Sequence, residues 1–126
     1  MPTAILIGFE YNTDKLLGTA IDLYNAFKWC NKFCKTYILT DIICKDTKQN
    51  RIFRGYNKIK NKILVTNEEL LLSYIDKILQ KLEDTKLVIY YTGHGICDSI
   101  LMPNKSLLSF IKFRNYILNR LDPCVE

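Results

Sequence analysis

What the chain lacks narrows its class before any motif is read. No apolar run approaches the ~20 residues that a membrane-spanning helix needs. The opening, Met1-Pro2-Thr3-Ala4-Ile5-Leu6-Ile7-Gly8, has no basic lead-in and reads on into polar sequence, the pattern of a first strand and not of a secretory signal. There are 5 cysteines, an odd number, and their spacings suggest no disulfide framework. Without an export signal, free thiols in a reducing, cytoplasmic setting are the expectation. Internal repeats and low-complexity tracts are absent, which argues against a repeat array or a linker. There is 1 histidine, so any imidazole chemistry rests on His94.

What is present fits one folded domain of 126 residues. With 48% hydrophobic and 25% charged residues the chain can bury a core, and its composition is globular and not disordered. Lysine outnumbers arginine 14 to 4, a bias of AT-rich genomes such as a protist's or a large DNA virus's. In the second case the compartment would be the host cytoplasm. Much of the net charge of +5 comes from Lys45, Lys48, Arg51, Arg54, Lys58, Lys60 and Lys62, opposed there by Asp46 alone. Such a stretch suits a polyanion, but no nucleic-acid motif surrounds it and its aromatics, Phe53 and Tyr56, are few. A solvated basic loop is the expectation, with a basic nucleic-acid-binding module as the outside alternative and no membrane as partner.

Three apolar runs, 3–9, 36–40 and 87–92, are continuous and rich in β-branched and aromatic residues, as strands covered on both faces of a parallel sheet are. Helical spacing lies between them. Leu17, Ala20, Tyr24 and Phe27 form one stripe over about 14–29. Thr66-Asn67-Glu68-Glu69 reads as a capping box opening a helix with Leu71, Tyr74, Ile75, Ile78 and Leu82 inward. A third helix is predicted from Ser106, carrying Leu107, Phe110, Ile111, Ile117 and Leu121 and stopped by Asp122-Pro123. The connection 42–65 is irregular, with a hairpin predicted around Ile52-Phe53 and Ile63-Leu64. Alternating strands and helices predict an α/β fold with a mostly parallel sheet and right-handed crossovers.

In such a sheet ligands bind beyond the carboxyl ends of the strands. Residues 8–17, the stretch from Asp41, and Thr92-Gly93-His94-Gly95 fall on that rim. A histidine between two glycines after a buried strand is exposed where the backbone turns sharply, a place for a general acid or base with a pKa near neutrality. A plain turn histidine is the alternative. The cysteines suggest no zinc site, since Cys30-x-x-x-Cys34 with the distant Cys44 is a poor match to four convergent ligands. No metal and no cofactor is expected.

Tyr90-Tyr91-Thr92-Gly93-His94-Gly95 resembles the strand-plus-histidine motif of caspases and, more closely, metacaspases. Five further stretches resemble that family in the same order. They are Ala4 to Tyr11 (opening strand), Leu16-Leu17-Gly18-Thr19-Ala20-Ile21-Asp22 (first helix), Thr36 to Asp41 (second strand), Val65 to Glu69 (helix opening) and Ile100-Leu101-Met102-Pro103 (the segment after the histidine loop). The resemblance implies a caspase-like three-layer sandwich with helices on both faces, a single domain lacking the C-terminal strands. It implies that His94 is the dyad base activating a cysteine, that the Gly95 N–H serves the oxyanion hole, and that Asp22 lines a pocket for an arginine or lysine side chain. Ile21 and Thr19 depart from the family's asparagine and cysteine, which leaves a solvated helix residue as the other reading of Asp22.

The family's nucleophile follows a fourth strand in a motif like Asp-x-Cys-x-Ser-Gly, and no such motif is present. Cys124 lacks that context and would join its strand at the wrong end; Cys97 lies in the loop after the histidine. Neither is the expected nucleophile. Two functions therefore compete. One is a homologue, inactive alone, that modulates proteolysis or programmed cell death by binding. The other is part of an Arg/Lys-specific cysteine endopeptidase whose nucleophile lies beyond Glu126. The expected partners are a peptide or protein substrate, a caspase-like partner, or a second copy joined through an open sheet edge. His94 is predicted at the carboxyl end of a central strand, in a shallow cleft that Asp22 borders.

Overall fold

A computed structural model describes residues 1–11, 16, 18–48, 50–83 and 86–121. Four strands form a parallel sheet: β1 (Thr3–Gly8), β2 (Lys35–Thr40), β3 (Lys62–Leu64) and β4 (Leu87–Thr92), in the order β3-β2-β1-β4. Its helices are α1 (Thr19–Cys30), α2 (Arg51–Lys58), α3 (Glu68–Leu79) and α4 (Phe110–Leu121). Every residue of β1 is buried. Ile5 and Ile7 join one core cluster with Leu71, Ile75, Ile78, Phe113 and Ile117 of α3 and α4. Ala4 and Leu6 join the other, with Ala20 and Leu23 of α1 and Tyr56 of α2. Side chains of a strand alternate between faces, so the sheet is the middle of three layers, with α1 and α2 on one side and α3 and α4 on the other. The α/β class, the parallel sheet and the helices on both faces match the expectation.

Several local expectations are corrected. No hairpin occurs among the described residues of the 42–65 connection. Residues 51–58 form α2, because the Asn50 side chain accepts the Ile52 N–H at 2.9 Å as an N-cap and Tyr56 is fully buried on the inner face. β3 then pairs parallel to β2. The cap of α3 is Asn67 and not Thr66, since the Asn67 side chain accepts the Leu70 N–H at 2.9 Å. The predicted third helix begins late: Leu107–Ser109 is a strand, β7, in a small antiparallel sheet with β5 (Gly95–Ile96) and β6 (Ser99–Leu101). Its Phe110, Ile111 and Leu121 are exposed while Phe113 and Ile117 are buried. In α1 the buried residues are Thr19, Ala20, Leu23 and Cys30, with Tyr24 and Phe27 half-buried. The expected start near Asp14, Leu17 in its stripe, and the Asp122-Pro123 stop lie outside the described residues.

The strand that leads to His94 is β4, an edge strand of the four and not a central one. Among the described residues no strand pairs with its far side. The Lys86 and Thr92 carbonyls both accept bonds from β1-side amides, Thr3 N–H at 3.2 Å and Phe9 N–H at 3.2 Å. The two-residue alternation therefore turns the backbone of Leu87, Ile89 and Tyr91 toward the open side.

Gly8 sets how closely α1 can lie on β1. A Cβ at this position would stand 2.8–2.9 Å from three carbons of the Leu23 side chain. Gly8→Ala is expected to destabilise the fold by about 1–3 kcal/mol through overpacking, read as a lower urea midpoint with unchanged slope.

Candidate functional site

β1, β2 and β4 end level with one another, Gly8 beside Thr40 on one side and Thr92 on the other. Their carboxyl rim gathers residues from distant parts of the chain, and Tyr11 organises it. Tyr11 is buried, at 1% exposure, with φ at 65°. That left-handed conformation is unfavourable for a bulky side chain, by about 1–3 kcal/mol. Asp41, just past β2, holds it: one carboxylate oxygen accepts the Glu10 N–H at 2.7 Å and the other the Tyr11 N–H at 2.9 Å. Glu10 is itself buried and pairs with Lys45, at 2.9 and 3.0 Å from its two oxygens. Lys45 is fastened to α2 by two bonds with the Asn57 amide. The first base of the predicted solvated stretch is thus an internal ion-pair partner.

The Tyr11 hydroxyl sits inside the small sheet. It accepts the His94 N–H at 3.0 Å and donates to the Leu101 carbonyl at 2.8 Å, while the Leu101 N–H donates directly to the His94 carbonyl at 3.1 Å. One rung of an antiparallel ladder is therefore bridged by a phenol. The Tyr91 hydroxyl donates to the His94 carbonyl at 2.7 Å and lies 3.2 Å from that of Tyr11. The His94 imidazole stacks on the Tyr11 ring, centroids 5.1 Å apart and planes 27° from parallel. His94 is exposed. The result is an accessible imidazole on a fixed backbone.

Gly93 is a glycine by necessity. Its φ is 156°, and a Cβ would stand 2.5 Å from the Tyr91 hydroxyl and 3.1 Å from that of Tyr11. Gly95 is different, since a Cβ there would meet only the Ser99 carbonyl at an ordinary 3.6 Å. Gly95 faces Ile100 next to the hydrogen-bonded His94–Leu101 rung. It thus occupies a non-hydrogen-bonded position, and its N–H points to the open side of β5.

Asp22 lies on the same rim, one turn into α1. Its carboxylate accepts the Thr92 hydroxyl at 2.9 Å, two residues before His94, and it remains exposed. The carboxylate can still take a cationic side chain. Burial, and secondarily the Asp22 charge, raises the Tyr90 phenol above its ordinary value. Burial, and then the bond with Tyr11, pushes the Tyr91 phenol well above the usual range.

No cysteine is drawn to the imidazole among the described residues. Cys97 and Asp98 form the two-residue turn of the β5–β6 hairpin, with φ at 46° and 61°. Three residues of extended chain carry Cys97 about 10 Å along the hairpin from His94. Cys44 is exposed in the connection after β2. Cys30 and Cys34 are buried at the opposite rim, where burial pushes the Cys30 thiol up. The described cysteines are free, and no cluster of three metal-ligating side chains occurs among the described residues. Cys124 lies outside them.

Sequence reasoning gave roles to His94, Gly95 and Asp22; it placed Glu10, Tyr11 and Asp41 on the rim without a role and gave Tyr91 none. The available signal was their place: all stand in strand ends or just beyond, on the rim that a parallel sheet marks for ligands. No protein-family model, curated protein or solved structure matches the chain.

Two outcomes test this geometry. Gly93→Ala is expected to destabilise by about 1–3 kcal/mol through strain and the clash with two hydroxyls, whereas Gly95→Ala leaves the thermal midpoint nearly unchanged. Separately, the buried Tyr56 and half-buried Tyr91 phenols have raised values in the fold. Their contribution is complete below the unfolded tyrosine pKa of about 10 and is lost as pH climbs above it. Urea stability is expected to hold below about pH 10 and fall beyond, with part of the phenolate absorbance appearing only on unfolding.

Proposed function

We propose that the chain is a caspase-like peptidase homologue that acts by binding a partner strand and not by cleaving peptides alone. The observation that carries this reading is the state of β4. It bears His94 at its tip and has no partner on its outer side among the described residues. An unpaired strand edge is a template for another strand. Beside that edge a groove of about 580 Å³ runs between β4 and α4, lined by Leu87, Ile89, Tyr91, Phe113, Ile117 and Leu118 among others. A strand added to β4 would turn alternate side chains into this groove. Arg114 is the one charge on its wall, so an incoming strand with a carboxylate at that level is favoured. A caspase-like partner, or a second copy of the chain, fits this description.

The binding reading also accounts for an imidazole without a thiol. A dyad histidine activates a cysteine by removing its proton, and no described cysteine is bonded to His94. The same edge favours a second reading, in which a strand carrying the nucleophile joins β4 from another segment or subunit. His94, the Gly95 N–H and Asp22 would then be base, oxyanion donor and pocket for a basic side chain, and modulation of proteolysis or of cell death would follow from supplying or blocking that strand.

Two measurements separate these readings from error. Fluorogenic peptides ending in arginine or lysine should turn over at the buffer rate, since no cysteine among the described residues is bonded to His94 for it to activate. Robust activity abolished by Cys97→Ala would relocate the nucleophile and defeat the binding reading. Light scattering across a concentration series should show a rising molar mass, suppressed by Val88→Lys, which sets a charge on an exposed edge position. A strict monomer at every concentration would remove pairing between copies and leave a foreign strand as the only occupant to seek.

A further inference from the structure

Charge is divided unequally between the two helical layers. Residues 23–40 contain Lys28, Lys32 and Lys35 and no acid; residues 47–67 contain Lys48, Arg51, Arg54, Lys58, Lys60 and Lys62 and no acid. These stretches supply most of α1, all of α2, and the strands β2 and β3. In the opposite layer the acids Glu68, Glu69 and Asp76 of α3 stand among Lys77, Lys112, Arg114 and Arg120, with Lys112 paired to Glu68 at 3.0 Å and Arg120 to Asp76 at 2.8 Å. Lys28, Lys32, Lys35, Arg51, Arg54, Lys58 and Lys60 are exposed.

The basic layer carries an apolar feature where one would not be left without a use. Trp29 and Phe33, at the end of α1, are 64% and 60% exposed and pack edge to face, with centroids 6.0 Å apart. Lys28 and Lys32 are their sequence neighbours. Lys35 follows, and its N–H donates to the Pro2 carbonyl at 2.8 Å, which brings the exposed Met1 to the same rim. This is the amino rim of the sheet, opposite His94. A shallow groove of about 440 Å³ lined by Tyr24, Phe27, Lys28, Lys58 and Lys60 continues the basic surface onto α2.

We infer that this face docks on an anionic lipid bilayer, with Trp29 and Phe33 entering the headgroup–acyl boundary and the ring of lysines meeting acidic headgroups. No helix among the described residues is long and apolar enough to cross a membrane, but a chain can rest on one. Interfacial binding needs a small apolar wedge, for which tryptophan is favoured, together with cations that complement the surface charge. The cations nearest the wedge are lysines, compact point charges that need no oriented acceptor. The two rings are occupied with each other, edge against face, and form a knob rather than parallel platforms for stacking bases. Charge complementarity and the wedge thus select the bilayer over a single-stranded nucleic acid. With the wedge at the amino rim, the His94 rim lies at the far end of the strands, away from the lipid.

The test uses the whole chain and its 1 tryptophan, which stands in the proposed wedge. Phosphatidylcholine vesicles with a minority of phosphatidylserine should shift Trp29 emission to the blue and carry the protein into the vesicle pellet; brominated lipid should quench the emission. Vesicles of phosphatidylcholine alone should do neither, and raised salt should release the protein. Lys32→Gln and Lys35→Gln should each weaken binding about five-fold. Phe33→Ser, at an exposed position, should weaken it further with the circular dichroism spectrum unchanged. No blue shift with acidic vesicles, or binding that brominated lipid does not quench, would overturn the inference. So would a response to a single-stranded oligonucleotide that exceeds the response to acidic vesicles.

Discussion

A single phenolic hydroxyl holds the carboxyl rim together. Tyr11 has left-handed backbone geometry, which the fold tolerates because Asp41 clamps the two amide groups of Glu10 and Tyr11. That geometry sends the ring beneath His94 and its hydroxyl into the β5–β6 ladder. Without it the His94 N–H and the Leu101 carbonyl would lose the group that bridges them. The consequence is a separation of roles. Backbone and rings are fixed by buried groups, while the imidazole, the Asp22 carboxylate and the Gly95 N–H are left to the solvent side.

How much of this was legible in the sequence follows from how local each signal is. β1, β2 and β4 were readable because strands covered on both faces must be continuously apolar, and α3 because its cap and stripe lie within one short stretch. α2 was not readable as a helix. Its Arg51, Arg54 and Lys58 look like a polar loop, and only the burial of Tyr56 under α1 and the Asn50 cap decide the matter. The small sheet was missed for a similar reason. Strands of two or three residues carry no periodicity, and the hairpin turn is made by Cys97 and Asp98 at positive φ without the glycine that marks such turns. His94 was found because glycines flank it, whereas Tyr11 contacts residues 80, 83 and 90 positions away. No pattern within a window connects those positions.

The two helical layers differ in what they leave exposed. The α3–α4 side leaves a groove against β4 that a strand would fill, while the α1–α2 side leaves cations around an aromatic pair. Both follow from what each layer covers. α1 and α2 bury their apolar stripes on β1 and β2, where neighbours exist on both sides. α4 leans over the edge strand, and beyond that strand nothing among the described residues completes its apolar face.

The central claim is that β4 is an open edge built to accept a strand, and amide hydrogen exchange on the isolated monomer at low concentration tests it residue by residue. The geometry turns the N–H groups of Val88 and Tyr90 toward β1 and those of Ile89 and Tyr91 toward the open side. The account predicts slow exchange at Val88 and Tyr90, rapid exchange at Ile89 and Tyr91, and protection at the second pair once a strand binds. Equal, strong protection at all four positions in the unbound monomer would show that the chain covers its own edge, and would contradict the account.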